Sequence, residues 1–199
     1  MKMMLEFETQ EGSTPLEPEE LEQLIPLHIT TMAQLNEAEQ LNIAAANLWV
    51  FSQHRSNVLT NRFVKLLHKK MLSDVWRWAG EFRQRAVNIG GVEACDIMVR
   101  LHQLFDDCNY WSKEKTFDQI EIAARLHHGL TVIHPFPNGN GRHARIMTDA
   151  YLKNVNQPMF SWGKGVDLIQ PGEARMQYLK ALRAADEHDI QPLIDFARS

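Results

Sequence analysis

Helical periodicity recurs along almost the whole chain, and no long stretch alternates polar and apolar residues. Apolar side chains repeat every three or four residues in seven segments: 31–51, 60–72, 97–111, 117–132, 141–154, 173–187 and 192–197. Such spacing places the apolar side chains of a segment on one helical face. One short extended run, Val87-Asn88-Ile89, ends at Gly90-Gly91 and predicts a small hairpin within residues 83–94. We therefore expect an all-α helical bundle with one β-hairpin.

The same periodicity predicts which side chains face the core. Over 31–51, Thr31 is the expected N-cap of a helix. The predicted inward stripe of that helix is Leu35, Ala38, Leu41, Ala45, Leu48 and Trp49. The helix over 60–72 is expected to bury Phe63, Leu66, Leu67 and Met71, and the core anchors after it are Trp76, Trp78 and Phe82.

Length and composition limit the protein class. The 199 residues suggest a helical domain over 31–199, preceded by an arm over 1–30 with a short helix after Pro18, docked on the core. The hydrophobic content of 44% argues against disorder, and the net charge of −4 argues against nucleic-acid binding. Two cysteines cannot form a multi-bridge scaffold. With no signal peptide and no apolar run of about 18 residues, we expect a cytoplasmic protein without membrane contact.

The segment between the fourth and fifth predicted core helices, HPFPNGNGRHAR over 134–145, carries the chemistry. Pro135 and Pro137 disfavour helical geometry in the residues before them, so the preceding helix ends here. Gly139 and Gly141 allow backbone angles and close approaches that a side chain would prevent. A glycine-rich turn that enters a helix exposes backbone N–H groups, which is the arrangement of an anion site.

The charges around this turn favour a polyphosphate. The first helical turn offers Arg142, His143 and Arg145 and no carboxylate before Asp149. Each cation at a helix N-terminus costs a few tenths to about 1 kcal/mol unless an anion offsets it. Arg142 and Arg145 share a face, and two guanidinium groups suit a di- or triphosphate. A Gly/Pro loop with solvated arginines is the alternative interpretation; a P-loop is excluded, because GxxxxGK[ST] is absent.

The segment resembles the signature of the Fic (filamentation induced by cAMP) domain, HPFx[D/E]GNGRxxR, with Asn138 at the acidic position as the one departure. Further resemblance to the family lies in residues 78–83, 87–90, 178–182 and 189–194, and the opening, 12–31, resembles the subfamily called "mobile mystery protein B". The resemblance implies a Fic-type helical bundle with a hairpin flap.

The resemblance also implies an activity. Fic enzymes typically transfer AMP from ATP to a Ser, Thr or Tyr hydroxyl of a target protein and release pyrophosphate. His134 would be the general base, a role that suits imidazole because its ordinary pKa is about 6.5. Arg142 would hold the α- and β-phosphates and Arg145 the γ-phosphate. The implied nucleotide-binding residues are Gly139, Asn140 (its amide included), Gly141, Arg142, Arg145 and, lining the adenine pocket, Tyr178.

Asn138 replaces the acid that binds Mg²⁺ in the family. An amide oxygen ligates Mg²⁺ without contributing negative charge. The sequence leaves three outcomes open: the ATP phosphates supply most of the metal binding, the Mg²⁺ site is weak, or the reaction differs. Transfer of UMP or phosphocholine is one alternative function. A non-catalytic module that binds a nucleotide or a partner is another.

The resemblance gives three further expectations. The flap, Val87, Asn88, Ile89 and Gly90, would pair with the target protein as an added strand; a plain connecting turn is the alternative. Glu11-Gly12 resembles the end of the family's inhibitory motif [S/T]xxxE[G/N], although Phe7 occupies the Ser/Thr position, and we favour an acidic surface arm. A separate antitoxin-like partner is left open. His127 and His128 are expected to be hydrogen-bonded or surface residues rather than zinc ligands, because HExxH is absent.

Overall fold

The computed structural model describes residues 17–52, 57–87, 92–163, 168 and 172–199. Over these residues the chain forms eight α-helices, with a 3-10 turn at Ala94–Asp96 before the fourth. The helices are α1 (Pro18–Leu21), α2 (Met32–Phe51), α3 (Asn61–Leu72), α4 (Ile97–Glu114), α5 (Gln119–Ile133), α6 (Asn140–Asn154), α7 (Glu173–Asp186) and α8 (Gln191–Arg198). The all-α prediction is confirmed. None of the described helices is long and apolar enough to cross a membrane.

Helix pairs that are adjacent in sequence pack most extensively: α2 on α3, α4 on α5, α5 on α6 and α7 on α8. The α3 helix also packs against α6, which begins within the signature segment, 134–145. Most of the main core is contributed by helices α2 to α6 and the segments that connect them. A smaller apolar cluster joins α7 to α8 and brings Tyr178 toward α5 and α6.

The predicted hairpin is not seen in the described residues. Residues 83–87 and 92–93 form no strand, and Asn88, Ile89 and Gly90 lie outside the described residues. The one β-bridge in the described part of the chain is antiparallel and joins Leu24 to Trp76. That bridge, with Ile25 N–H donating to Val75 O (2.9 Å), holds residues 17–30 against the segment after α3.

The inward face of α2 differs from the predicted stripe. Leu41 and Leu48 are 68% and 76% exposed. The residues that α2 buries are Leu35, Glu39, Asn42, Ala46 and Val50. Glu39 and Asn42 are buried because each has polar partners on the segment after α3. Because α2 is apolar on almost every side, periodicity alone could not identify this face. On α3, Leu66 is likewise exposed rather than buried.

Candidate functional site

His134 ends helix α5 in a left-handed conformation (φ 50°, ψ 61°). For a residue other than glycine this conformation costs about 1–2 kcal/mol. The backbone is held there from both sides: the His134 N–H donates to Leu130 O (3.1 Å), and the His134 carbonyl accepts from Arg83 Nε (2.7 Å). The turn ends the helix and directs the chain into the loop over 135–139.

The His134 ring is fixed in one tautomer. Its Nδ1 lies 3.3 Å from Thr131 O, and since a carbonyl oxygen only accepts, Nδ1 carries the proton of the neutral ring. The basic lone pair is therefore on Nε2. Burial lowers the pKa of His134 to about 4, against the opposing effect of the Thr131 bond. At neutral pH the ring is thus an uncharged proton acceptor.

Arg83 is a site residue to which the sequence analysis gave no role. Its side chain is buried and donates to four carbonyl oxygens: those of Ile133, His134, Arg85 and Val92. Its own backbone N–H donates to Pro135 O (2.9 Å). Arg83 therefore connects the backbone at His134 to Arg85 and Val92, which flank the predicted flap. The only signal in the sequence was that the run Trp78–Arg83 resembles the family, and this resemblance did not indicate which groups Arg83 would bind.

The loop over 135–139 is closed by Asn140. The amide of Asn140 accepts from Phe136 N (2.9 Å) and donates to Phe136 O (2.8 Å), and the residue is 4% exposed. Both polar atoms of the amide thus hold the loop, and its predicted contact with phosphates stays a prediction. Phe136 is fully buried and stacks on His68, so it anchors the loop to α3.

Helix α6 begins at the predicted glycine-rich turn. Gly139 is its N-cap, with φ 78°, and its N–H donates to the Asn138 Oδ1 (2.6 Å). The first N–H groups of any α-helix lack intrahelical acceptors, so those at the start of α6 face the loop region as donors. Beside Gly141, the nearest atom to an added Cβ would be Arg145 Nη1 at 3.8 Å. The turn is therefore open on the side of Arg145.

Arg142 forms a buried ion pair that the sequence analysis did not foresee. Its Nη1 lies 2.6 Å from Glu39 Oε2, and the two side chains are 16% and 8% exposed. The other carboxylate oxygen of Glu39 accepts from Trp76 Nε1 (2.7 Å), and Arg142 Nη2 lies 3.5 Å from the Asn138 Oδ1. Glu39 therefore balances the charge of Arg142. Because 103 residues separate the two, no local motif could have revealed the pair.

Arg145 has different surroundings. Its guanidinium lies 5.9 Å from the centre of the Tyr178 ring, and it forms no ion pair with a carboxylate of the described residues. Burial lowers its pKa, but an arginine stays charged in proteins. Asp149 is close enough to affect that pKa, yet its oxygens accept from Phe160 N and Trp162 Nε1. Arg145 is thus the cation of the segment that lacks a carboxylate bound to it.

Two of the histidines near the site are structural. We counted His143 among the cations of the first turn, but it is buried, and burial lowers its pKa to about 4. Its Nε2 bonds to Val64 O (3.0 Å), so His143 is neutral. His127 is buried against the Tyr178 hydroxyl (2.8 Å), and Tyr178 lies beside Arg145; that Tyr178 lines an adenine pocket stays a prediction. His128 pairs with Asp186 at the surface.

The described residues do not form a magnesium site by themselves. They contain no group of three or more His, Cys, Asp or Glu that could hold a metal ion. Asn138 offers one neutral oxygen, which already accepts from Gly139 N–H. Mg²⁺ prefers one or two carboxylates together with phosphate oxygens. Two other predicted sites are not described: Glu11, and the flap apart from Val87, lie outside the described residues.

The chain is similar in sequence to known proteins of the family whose signature it carries. Residues 58–152 match the sequence profile of the Fic/DOC family. "Protein adenylyltransferase Fic" of Drosophila willistoni is 31% identical over 142 residues, which are 69% of this chain and 27% of the relative. "Protein adenylyltransferase fic-1" of Caenorhabditis briggsae is 31% identical over 120 residues, 59% of this chain and 22% of the relative. The chain thus spans about a quarter of the length of these relatives.

Solved structures share the fold. The BepC protein of Bartonella tribocorum, crystallised with bound AMPPNP, covers 92% of this chain and 97% of its own at a TM-score of 0.66 and 19% identity. The Fic-1 fragment 134–508 from C. elegans covers 87% of this chain and 50% of its own, at a TM-score of 0.64 and 22% identity. The subfamily "mobile mystery protein B" stays a prediction. Through the domain at residues 58–152, the chain belongs to the Fic/DOC family.

Proposed function

We propose that this protein is a nucleotidyltransferase that transfers AMP from ATP to a hydroxyl side chain of a target protein. The observation that carries the proposal is a neutral imidazole before one loop and, on the helix after it, an arginine that no described carboxylate binds. His134 has its lone pair on Nε2, and Arg145, at the start of α6, has no carboxylate bound to it among the described residues. The names of the relatives, protein adenylyltransferases, support the same reaction.

The proposed chemical step uses His134 as the base. Nε2 accepts the proton of the target hydroxyl as the hydroxyl oxygen bonds to the α-phosphorus of ATP. The bond from that phosphorus to the oxygen bridging it to the β-phosphorus breaks, and pyrophosphate leaves. General-base catalysis of this kind contributes typically 10²–10⁴-fold to a rate. The Nδ1–H···O=C bond to Thr131 favours the tautomer with the lone pair on Nε2, which the step requires.

The proposed phosphate contacts follow the charges of the site. Arg145 binds the γ-phosphate and stabilises the departing pyrophosphate, because its guanidinium is not neutralised by a bound carboxylate. Arg142 has one terminal nitrogen on Glu39 and offers its other donors to the α- and β-phosphates. The backbone N–H groups at Gly141 and Arg142 complete the anion site. The described residues do not fit a protein-held Mg²⁺, because Asn138 offers one neutral oxygen and they contain no group of three or more His, Cys, Asp or Glu that could hold a metal.

Labelled ATP tests the proposal. Purified protein is incubated with ATP labelled at the α-phosphate, in parallel with ATP labelled at the γ-phosphate, and with proteins that expose Ser, Thr and Tyr. We expect label from the α-phosphate in a protein band, and none from the γ-phosphate. His134→Ala is expected to abolish the transfer, whereas His102→Ala, at an exposed histidine on α4, leaves it unchanged. Transfer that persists in His134→Ala, or label from the γ-phosphate, would contradict the mechanism.

A nucleotide-binding module without transfer activity is the second candidate. Two observations favour it: Glu39 reduces the positive charge at Arg142, and Asn138 is uncharged. The two functions differ in a measurable way. A binding module binds ATP with equal affinity in wild type and His134→Ala and transfers no label from ATP, UTP or CDP-choline. An adenylyltransferase transfers label from ATP.

A further inference from the structure

His68, on the third turn of α3, makes two hydrogen bonds that together fix its tautomer. The Gly80 N–H donates to His68 Nδ1 (2.9 Å), so Nδ1 carries the lone pair. The proton of the neutral ring is then on Nε2, which lies 3.0 Å from the carbonyl oxygen of Asn138 and donates to it. The side chain is fully buried, and burial, followed by the proximity of His143, lowers the pKa of His68 well below its ordinary value.

The same ring supports the signature loop by packing. It stacks on the Phe136 ring at 3.6 Å between centroids and 7° between planes. A Cβ added to Gly139 would lie 3.5 Å from His68 Nε2 and 3.0 Å from Leu72 Cδ1. The loop from Phe136 to Gly139 therefore rests directly on this part of α3.

The bond to the Asn138 carbonyl has a consequence for anion binding. In a planar trans peptide the C=O and the following N–H point in opposite directions. When His68 holds the carbonyl of Asn138 toward the core, the N–H of Gly139 must point away from the core. It points to the Asn138 Oδ1, at the start of α6. The orientation of this peptide thus depends on one hydrogen bond from α3.

We propose that His68 is a positioning residue that sets the Asn138–Gly139 peptide through its Nε2–H bond, and thereby sets the affinity of the loop for nucleotide phosphates. This inference rests on the proposed function, because it requires that the loop bind phosphate. His68 itself does not touch the nucleotide. Its alternative role is that of an ordinary core residue whose loss affects stability alone.

Two substitutions separate the two hydrogen bonds. In His68→Gln the side-chain amide reaches about as far as Nε2 and can donate to the Asn138 carbonyl, but the Gly80 bond is lost. In His68→Asn the shorter amide oxygen can accept from Gly80, but the Asn138 bond is lost. Both variants lose the ring stacking on Phe136. Leu101→Ala, at a buried core position on α4, serves as the control for general destabilisation.

The measurement is the dissociation constant of ATP by titration calorimetry, with the unfolding midpoint of each variant as the second readout. We expect His68→Gln to bind ATP within about threefold of wild type, and His68→Asn to bind about tenfold more weakly. Leu101→Ala is expected to lower the midpoint without weakening binding. Equal affinity loss in the two His68 variants would overturn the inference. Wild-type protein that binds no ATP would instead contradict the proposed function.

A measurement on the unaltered protein covers the case in which a variant does not fold. Proton–nitrogen NMR of the imidazole rings reports which nitrogen of His68 carries the proton. We expect the Nε2–H tautomer, and we expect the Gly139 amide resonance to shift when ATP is added. An Nδ1–H tautomer of His68, or a Gly139 resonance that does not move with saturating ATP, would overturn the inference.

Discussion

The polar side chains of the signature segment differ in what they bind. Asn140 holds Phe136, His143 holds Val64, and Arg142 is paired with Glu39. These contacts fix the shape of the loop and the start of α6. In the proposed reaction, His134 accepts the proton of the target hydroxyl, and the charge of Arg145 binds the phosphates of ATP. Two predictions follow from this division at the scale of single residues.

The first concerns the pH dependence of catalysis. His134 must be neutral to accept a proton, and burial lowers its pKa to about 4. The rate is therefore lost as pH falls through about 4, and kcat/KM should stay constant between about pH 5 and pH 8. Initial rates over this range, with circular dichroism to confirm folding at each pH, check the prediction. A fall in kcat/KM centred near pH 6.5 would show a histidine with an ordinary pKa.

The second concerns the ion pair of Glu39. In Glu39→Gln the amide oxygen can still accept from Trp76, but Arg142 loses its counter-charge in a site that is largely buried. We expect the free energy of unfolding to fall by about 2–4 kcal/mol, measured by urea denaturation. Glu121→Gln is the control, because Glu121 pairs with Arg125 at i,i+4 where both side chains are more exposed than Glu39 and Arg142, and it should cost about 0.3–0.5 kcal/mol. Equal costs for the two variants would contradict a structural role of the buried pair.

Among the helices, α2 shows most clearly how tertiary partners select a face. The helix offers apolar residues on nearly every side, and the face that it buries is the one with Glu39 and Asn42 on it. Glu39 bonds to Trp76, and Asn42 bonds to Asp74 and to the carbonyl of Lys70. These polar contacts, rather than hydrophobicity alone, fix the rotation of α2 against α3 and α6.

Substitutions on opposite faces of α2 test this rotation. Leu41→Ala and Leu48→Ala, at exposed positions, are expected to change the free energy of unfolding by less than about 0.5 kcal/mol each. Leu35→Ala, at a position 4% exposed, should cost about 2–5 kcal/mol. Chemical denaturation of the three variants gives the comparison. A cost at Leu41 equal to that at Leu35 would show that Leu41 is buried, as periodicity predicted, and would contradict this rotation of α2.

The positions of the helices could be predicted from the sequence, whereas the contacts between them could not. Helix positions depend on neighbouring residues, and all seven predicted helices are present with ends close to those expected. The glycine turn and the start of α6 were predictable for the same reason. Glu39, His68 and Arg83 were not, because their partners lie 103, 70 and 51 residues away. A contact of that range depends on how the helices pack, and no local pattern encodes it.

Across the whole molecule, buried titratable groups link stability to pH. Burial lowers the pKa of His127 to about 3 and that of His143 to about 4, whereas it raises the pKa of Asp149 to about 7. A histidine with a lowered pKa contributes stability above its unfolded pKa, about 6.5, and loses it as pH falls. A carboxyl with a raised pKa contributes stability below its unfolded pKa and loses it as pH rises.

Between about pH 4 and pH 6.5, the lowered pKa values of the histidines and the raised pKa of Asp149 have opposite effects on the free energy of unfolding. There the buried histidines outnumber Asp149, so the free energy of unfolding should rise with pH. His143→Gln, which can still donate to Val64, should make that rise less steep, and Asp149→Asn should make it steeper. Urea denaturation at a series of pH values measures the slope. A free energy that is highest near pH 4.5, or slopes that do not change in the two variants, would contradict this account.

The central claim is that residues 134–145 form a polyphosphate site whose charge comes from Arg145. The dissociation constant of ATP for wild type, Arg145→Ala and the control Arg125→Ala, at a partly buried arginine of α5 paired with Glu121, tests it most directly, by titration calorimetry. A charged hydrogen bond contributes about 1.5–3 kcal/mol, so Arg145→Ala should bind ATP at least about tenfold more weakly than wild type. Arg125→Ala should bind as wild type does. Unchanged affinity in Arg145→Ala would contradict the account.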